Sequence, residues 1–322
     1  MSDTLAKVPE ATDIPDTATD ACELTSHVRL ARVVMLVNPL AGGVGPGAAE
    51  EALEILSRYA CETTVVSLEA ARFDVQVQEA LDSRPDAVFV LAGDGTAGTI
   101  ASRAGPDGPL VAPLPGGTMN MLPKALYGSS DWKTALKVSL ENGAPHPVAG
   151  GEVNDGDTRR AFFCAAIFGA PALWAPAREA IRLGRLRLAW LYARRALKRA
   201  FTGRLRYMLD NQSERRAEAL VLISPMISRA VAEDVGLEAA AMNPAGAAEA
   251  FRLAAHAVRE DWRLEPAVTT RPARQVRLRA LSRIPAVIDG EPLLLHHEAS
   301  VRFLPQAFRA LAPVPAAAED SI

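Results

Sequence analysis

The sequence predicts an α/β N-terminal domain built on a parallel sheet, followed by a β-rich C-terminal domain of antiparallel strands packed as a sandwich. Two observations support this fold class. Between residues 32 and 128, short apolar runs alternate with segments of helical spacing, which is typical of a parallel sheet covered by helices on both faces. After about residue 148, apolar runs follow one another across polar turns, which indicates antiparallel pairs. At 322 residues, the chain is long enough for two domains.

Four strands and four helices are predicted in strict alternation in the N-terminal domain. The strands are inferred from continuous apolar runs and the helices from apolar residues three and four positions apart. The predicted strands are 33–37, 63–68, 87–92 and 110–114, and the predicted helices are 47–59, 74–81, 96–104 and 120–127. Asp74 and Asn120 are expected to cap helix N-termini, and Gly128 is expected to end the last helix.

Hairpins are predicted in the second half. A turn at Asp155–Gly156 and another at 210–213 each separate two apolar runs. The predicted strands are 148–153, 160–167, 204–209, 217–223, 275–281, 286–288 and 300–304.

Domain boundaries follow from these patterns. Residues 1–28 are polar, acidic and without periodicity, and we predict a disordered tail there. The α/β domain is predicted at 29–147 and the β-rich domain at 148–304, with a helical insertion at about 173–201.

Composition excludes several classes of protein. The net charge of −3 and the pI near 6.0 give no bulk attraction to nucleic acid. Three widely spaced cysteines without a Cys-x-x-Cys pair exclude a Cys/His zinc site and favour a reduced, cytoplasmic protein. The acidic N-terminus argues against a secretory signal, and no apolar run approaches the roughly 18–20 residues that span a bilayer.

Three glycine-rich turns each follow a predicted strand and precede a helix. They are Asn38–Gly43, Gly93–Thr96 and Gly116–Asn120. Because the carboxyl ends of parallel strands meet at one edge of a sheet, the turns predict a rim of backbone N–H groups and helix N-termini that binds phosphate. No Walker A sequence and no well-placed Gly-x-Gly-x-x-Gly is present, which excludes a P-loop and disfavours a dinucleotide oxidoreductase.

Side chains in these turns carry further chemistry. Asp94 can hold Mg²⁺ or orient phosphate-bound groups, and Thr96 offers a hydroxyl. Thr118 and Asn120 can meet phosphate or sugar oxygens. A plain βα turn with an Asx hydrogen bond at Asp94 remains an alternative interpretation.

Two carboxylates, Asp289 and Glu291, lie two residues apart in a predicted extended segment. This spacing lets them face one side, where one of them can act as a general base. The alternative is an ordinary hairpin turn.

A cationic segment runs from Arg178 to Arg206 and includes one acid, Glu179. Apolar residues at helical spacing accompany its arginines, which is typical of a helix that lies on an anionic membrane surface. A solvated helix that covers the second domain is the alternative.

Taken in order, the motifs at 38–43, 93–96, 117–120 and 289–292 resemble the diacylglycerol kinase catalytic family, bacterial lipid kinases that are also similar to sphingosine and ceramide kinases. The resemblance covers roughly residues 30–314. It implies a fold similar to that of NAD kinases, with the site in a cleft between two domains. It also implies that a final strand at 303–311 returns to the first domain, which adds residues 305–313 to the predicted α/β domain at 29–147.

The resemblance implies roles for individual residues. The residues that it places around ATP are Asn38, Gly42, Gly43, Ser67, Gly93, Asp94, Gly95, Thr96 and Thr118. Glu291 matches the proton acceptor of the family, and Asp94 and Asp289 complete the expected catalytic set. For the structural Mg²⁺ of the family, the ligands would be Asp234 and the carbonyl groups of Val231 and Gly236.

The sequence therefore predicts an ATP-dependent and Mg²⁺-dependent lipid kinase, cytoplasmic or peripheral at the inner membrane, which does not bind nucleic acid. Diacylglycerol, ceramide, a long-chain base and phosphatidylglycerol all remain open as acceptors, and the oligomeric state, a homodimer included, is open too. The chain departs from the family pattern at Ala92, Cys164 and Ser224–Pro225. Two alternatives remain: a kinase of a soluble substrate, similar to an NAD kinase, and an inactive regulator that binds nucleotide or lipid.

Overall fold

Two β-sheets organise the described part of the protein. The computed structural model describes residues 28–169, 171–172, 205–228, 230–232, 234–244, 263 and 265–313. Their strands form one ten-stranded and one six-stranded sheet. Within these residues, no helix is both long and apolar enough to cross a membrane.

Strands and helices alternate up to the fourth helix, as the apolar pattern predicts, and a fifth helix outside that prediction follows it directly. The strands are β1 (Arg32–Val37), β2 (Glu62–Ser67), β3 (Ala87–Ala92) and β4 (Leu110–Pro115), and the helices are α1 (Ala48–Leu56), α2 (Phe73–Asp82), α3 (Asp94–Ala104), α4 (Met121–Tyr127) and α5 (Trp132–Asn142). All pairs among β1–β4 are parallel. Every residue of β3 is buried, because apolar clusters cover both faces of the sheet.

The second half is mainly antiparallel strand. Its strands are β5 (Gly143–Asn154), β6 (Arg159–Phe162), β7 (Ala165–Gly169), β8 (Leu205–Leu209), β9 (Arg215–Ala217), β10 (Ala219–Ile223), β11 (Leu237–Met242), β12 (Val268–Ala273), β13 (Gln275–Arg279), β14 (Ile284–Ile288), β15 (Glu291–Leu295) and β16 (Glu298–Pro313), with one short helix α6 (Pro225–Ser228). The six-stranded sheet has the order β12-β11-β10-β7-β14-β15. Phe162 and Phe168, from different sheets, share one buried apolar cluster, so the two sheets pack as a sandwich.

The long strand β16 joins the two halves of the ten-stranded sheet. Eight strands of this sheet follow the order β2-β1-β3-β4-β16-β13-β8-β9, and the other two lie off this path, where β5 pairs with β16 and β6 pairs with β5. The start of β16 pairs antiparallel with β13, and Ala310, near its end, pairs parallel with Val111 of β4. Phe308 on β16 is fully buried and makes an edge-to-face contact with Phe163 at a ring-centroid distance of 5.0 Å. The fold class is therefore an α/β N-terminal part followed by an antiparallel β-rich part, while the exact domain boundaries stay a prediction.

Three local expectations are wrong. Asp74 does not cap α2, whose N-cap is Arg72; its carboxylate pairs instead with Arg103. Asn120 occupies the N-cap position of α4, but its side chain makes no capping hydrogen bond. The predicted strand 160–167 is two strands in different sheets, because the chain passes from β6 to β7 through Phe163 and Cys164.

Two predicted segments lie outside the described residues. They are the tail predicted at 1–28, except for residue 28, and the cationic helical insertion at 173–201. The proposal that the insertion lies on a membrane accordingly stays a prediction.

Candidate active site

The three glycine-rich turns lie side by side at the carboxyl edge of the parallel strands, where β1, β3 and β4 end. The amide of Gly43 donates a hydrogen bond to the carbonyl oxygen of Gly116 at 2.9 Å. The Nδ2 atom of Asn38 lies 3.4 Å from the hydroxyl of Thr96, to which it donates. The turns therefore form one continuous rim, which we call the glycine rim (Asn38–Gly43, Gly93–Thr96 and Gly116–Asn120).

Close backbone packing requires glycine at Gly117 and leaves little room for a Cβ atom at Gly43. A Cβ atom at Gly117 would lie 2.7 Å from the Cα atom of Gly93, and one at Gly43 would lie 3.1 Å from the carbonyl oxygen of Gly116. Neither neighbour is a flexible side chain that could move aside. The backbone segments of the three turns therefore pack directly against one another.

The side chain of Asn120 holds the Gly117 turn in place. Its Oδ1 accepts from the Gly117 amide at 2.7 Å, and its Nδ2 donates to the Gly117 carbonyl at 2.9 Å. Asn120 is buried and adopts a left-handed conformation with φ of 50°. This residue therefore shapes the rim from beneath.

Asp94 is the first residue of α3 and lies between two helix N-termini. Its Oδ1 accepts from the backbone amide of Leu122, at the start of α4, at 3.3 Å. The N-cap of α3, Gly93, has no side chain to cap the first turn. The first amides of α3 therefore face the rim without a capping side chain, which makes this helix start a place for anionic oxygens.

Ser67 ends β2, next to Val37 in the parallel register. Its carbonyl oxygen accepts from Nε2 of Gln76 at 3.0 Å. Ser67 therefore lies at the same edge of the sheet as the glycine rim, one strand further out.

Asp289 and Gly290 form the two-residue turn between β14 and β15. Both have positive φ values, 44° and 88°, as a type I′ hairpin turn requires. The hairpin-turn interpretation from the sequence is therefore correct, and it does not exclude a role in the site.

The Asp289 carboxylate binds three backbone amides of the β6–β7 connection. Its oxygens accept from Phe163 at 2.8 Å, from Cys164 at 3.0 Å and from Ala165 at 2.9 Å. Burial raises the pKa of Asp289, while these hydrogen bonds oppose the rise. Asp289 thus fixes the hairpin that carries Glu291 to the wall of the site.

Glu291 is the first residue of β15 and lies across from the start of α3. A Cβ atom at Gly95 would lie 2.5 Å from its Oε1, so the carboxylate almost touches the helix backbone. Its Oε2 accepts from Arg160 of β6 in an ion pair, and the Glu291 side chain is half exposed. The Asp94 loop and the Glu291 loop therefore share one crevice.

That crevice is a cavity of about 420 Å³ that is lined by Asp94, Gly95, Arg160, Asp289 and Glu291, among others. A larger depression of about 520 Å³ lies on the outer face of β8, β13 and β16. Its charges are largely matched in pairs, such as Arg206 with Glu214. No predicted site residue lines it, so the smaller cavity is the candidate active site.

The sequence analysis did not identify the contacts of several residues in this region. Arg160 comes to Glu291 only through the β5–β6 hairpin, although it lies 131 positions away in the chain. Ser224 donates from its hydroxyl to the Phe163 carbonyl at 2.5 Å, which supports the connection that Asp289 also binds. Cys164 is buried in that connection, and burial raises the pKa of its thiol.

The predicted Mg²⁺ ligands Asp234, Val231 and Gly236 lie near the start of β11. Nη1 of Arg274 donates to the carbonyl oxygen of Asp234 at 2.9 Å. Among the described residues, no group of three or more His, Cys, Asp or Glu side chains could hold a metal ion. A ligand set built on one carboxylate and two carbonyl groups does not require such a group, and it stays a prediction.

Comparison with known proteins agrees with this architecture. Residues 32–153 match the family model of the diacylglycerol kinase catalytic domain. A solved structure of a diacylglycerol kinase from Bacillus anthracis str. Sterne superposes with a TM-score of 0.63 at 16% identity, over 89% of this chain and 98% of that one. Another structure from that strain, described as a candidate diacylglycerol kinase, gives 0.67 at 18% identity, over 89% and 99%. Curated protein sequences give no match.

Proposed function

We propose that this chain is an ATP-dependent lipid kinase, because residues 32–153 match the family model of the diacylglycerol kinase catalytic domain. It transfers the γ-phosphoryl group of Mg-ATP to a hydroxyl group of a lipid. The observation that carries the proposal is one cavity with Asp94 and Gly95 of the glycine rim on one wall and Glu291 on the other.

The glycine rim fits the phosphates of a nucleoside triphosphate. Its close-packed backbone at Gly43 and Gly117 leaves no room for side chains, and the uncapped first turn of α3 offers amides to anionic oxygens. Asp94 would hold Mg²⁺, since this ion is usually bound by one or two carboxylates together with substrate phosphates. When bound, the ion neutralises charge on the phosphates; the protein supplies position and electrostatic stabilisation.

Glu291 would accept the proton of the lipid hydroxyl. The hydroxyl oxygen attacks the γ-phosphorus, the bond from that phosphorus to the bridging oxygen breaks, and ADP leaves. Arg160 donates to Glu291, so it holds the carboxylate in one orientation. Asp289 is a positioning residue because it binds backbone amides rather than the reacting atoms.

A lipid acceptor also places the protein at a membrane surface during turnover. The cationic segment between Arg178 and Arg206 would supply the contact with anionic lipid. Sedimentation with anionic and neutral vesicles tests this part of the proposal, and equal binding to both would contradict it.

Glu291→Gln is the decisive variant for the activity. It removes the proton acceptor while it keeps the shape and a hydrogen-bond acceptor for Arg160, so phosphoryl transfer to lipid should fall by about 10²–10⁴-fold. Nucleotide affinity, measured by calorimetry, should stay unchanged. The matched control is Glu298→Gln, an exposed glutamate that pairs with Arg279 away from the cavity.

The assay offers lipid extract, diacylglycerol and NAD as acceptors with radiolabelled ATP. Label in a lipid product supports the proposal. Label in NAD alone would replace it with a kinase of a soluble substrate, and no transfer with intact nucleotide binding would replace it with a regulator.

A further inference from the structure

The β6–β7 connection carries the chain from the ten-stranded sheet to the six-stranded sheet. It consists of Phe163 and Cys164, which lie between the two strands and are buried, and of Ala165 at the start of β7. Because an unpaired polar group is costly when it is buried, the backbone N–H and C=O groups of this crossing need partners from other elements.

Two residues supply these partners. The Asp289 carboxylate accepts from the amides of Phe163, Cys164 and Ala165, and the Asp289 amide donates to the Ala165 carbonyl oxygen at 2.9 Å. The Ser224 hydroxyl donates to the Phe163 carbonyl oxygen at 2.5 Å, and the Ser224 amide donates to the Cys164 carbonyl oxygen at 2.9 Å. Every backbone polar group of the connection is thus bound by Asp289 or Ser224.

The position of Glu291 depends on this connection in two ways. Asp289 precedes Glu291 by two residues, so its hydrogen bonds to the connection hold the hairpin that carries the carboxylate. Arg160, which donates to Glu291, lies on β6 just before the connection. A shift of the connection would therefore move both the hairpin and the arginine that hold Glu291.

Ser224 also borders on the elements of the opposite cavity wall. It is fully buried and directly precedes α6, which packs against α4. The amide of Leu122, in the first turn of α4, donates to Asp94. Ser224 therefore lies between the elements that carry Asp94 and those that carry Glu291.

The Ser224 hydroxyl is not what holds α6 together. A serine followed by proline is a common start of a helix, where the hydroxyl accepts from an amide of the first turn. In this chain the carbonyl oxygen of Ser224 accepts from the amides of Ile227 and Ser228, at 3.1 and 2.9 Å, while the hydroxyl donates to Phe163. Loss of the hydroxyl should accordingly leave α6 in place and free the connection.

We infer that Ser224 is a positioning residue for the proposed phosphoryl transfer. Its hydroxyl holds the β6–β7 connection, which in turn sets the place of the Glu291 carboxylate in the cavity. The effect on rate rests on the proposed kinase function, whereas the placement of Glu291 can be measured without turnover. The chain departs from the family pattern at both Cys164 and Ser224, and the hydrogen bond between their backbones brings the two departures together.

Crystal structures of the wild-type chain, Ser224→Ala and Ser139→Ala test the placement directly. Ser139 is the matched control, since it is buried and its hydroxyl donates to the Ala135 carbonyl oxygen at 2.7 Å within α5, outside the cavity lining. In Ser224→Ala the Glu291 carboxylate should move by about 1 Å relative to Gly95, a misplacement large enough to affect the rate. In Ser139→Ala it should stay in place. An unmoved Glu291 in Ser224→Ala would overturn the inference, whatever the activity.

Kinetics with lipid extract and radiolabelled ATP test the consequence for the reaction. Ser224→Ala should lower kcat on the order of 10²-fold, because a reacting group is misplaced. The KM for ATP should change by less than about twofold, since Ser224 lies outside the glycine rim. Ser224→Thr keeps the hydroxyl and should retain most of kcat, even if its extra methyl group lowers the Tm. Equal losses of kcat in the two variants would assign the effect to packing and contradict the inference.

A double variant separates positioning from stability. In the Glu291→Gln background, Ser224→Ala should lower turnover by less than about twofold further, because the group that it positions is already lost. The loss in Tm, about 2–4 °C, should be the same in both backgrounds, since the same hydrogen bond is removed. Fully additive losses in turnover would contradict the positioning role. If no acceptor takes label even in the wild type, the kinase proposal fails, and the crystal structures still decide whether Ser224 places Glu291.

Discussion

Gly95 and Glu291 illustrate how narrow the catalytic crevice is. Because a Cβ atom at Gly95 would lie 2.5 Å from Oε1 of Glu291, Gly95→Ala must displace the carboxylate. Displacement of a reacting group by about 1 Å costs on the order of 10²-fold in rate, so we expect a loss of that size in turnover. Alanine forms helix better than glycine, so the free energy of unfolding, measured with urea, should not fall.

A double variant shows whether Gly95→Ala acts through Glu291. When Glu291→Gln is already present, adding Gly95→Ala should lower turnover little further, because both changes remove the same group from its place. Full additivity of the two losses would assign the effect of Gly95→Ala to something other than the carboxylate.

Asp289 acts on stability as well as on the site. Asp289→Asn replaces one of two acceptor oxygens with an NH₂ group that faces backbone donors, so we expect a loss of about 1–3 kcal/mol in the free energy of unfolding. Asparagine tolerates the left-handed conformation, which keeps the turn itself possible. Asp157→Asn is the matched control, since the Asp157 side chain is 75% exposed. Equal stability of the two variants would contradict this role.

Single residues mark the limit of what the sequence could predict about the site. The glycine turns could be placed together from the sequence, because parallel strands deliver their carboxyl ends to one edge, whereas the crevice shared with Glu291 was implied only by the family resemblance. Arg160 gave no such signal, since its pairing depends on a long-range hairpin contact. Asn120 precedes a helix and was expected to cap it. Its side chain binds the amide and the carbonyl of Gly117 instead, because both lie within hydrogen-bond distance.

At the scale of elements, α5 has a side-chain cap that can be tested by pH. Hydrogen bonds from Thr134 lower the pKa of Asp131 below its usual 3.8. Asp131→Ala should therefore destabilise the protein by about 1 kcal/mol at pH 7. This contribution is fully present above pH 3.8 and is lost as the pH falls through the lowered pKa of the folded state.

Urea unfolding of the two proteins at several pH values between 7 and 3 measures the effect. The difference in the free energy of unfolding between wild type and Asp131→Ala should become smaller only at the lowest pH values of this range. Asp107→Ala, a change at an exposed position outside any helix or strand, should show no difference at any pH. If the difference in the free energy of unfolding between wild type and Asp131→Ala stays constant down to pH 3, it does not come from the capping carboxylate.

The elements themselves were predictable where the apolar pattern is continuous. The predicted β3 has the observed bounds, because six buried residues leave no ambiguity. The helix α3 begins at Asp94, two residues before the prediction, since the glycine turn is already helical there. The split of 160–167 into β6 and β7 had no local signal, because it reflects which sheet each part joins.

At the scale of the whole molecule, β16 couples the parallel and antiparallel regions. It pairs with β4, β5 and β13, and Phe308 is buried against Phe163. We therefore expect one cooperative thermal transition, with equal calorimetric and van't Hoff enthalpies. Phe308→Ala should lower the free energy of unfolding by about 3–5 kcal/mol and keep a single transition. Two separated transitions in the wild type would contradict the coupling.

The position of β16 also has a consequence for synthesis. The edge of β4 that faces away from β3 finds its partner in β16, which leaves the ribosome after every other described strand. Until then, a nascent chain exposes an unpaired, wholly apolar strand edge, the kind of surface that recruits chaperones or aggregates. The yield of folded protein in a host cell should accordingly depend on chaperone supply more than on the stability of the finished fold.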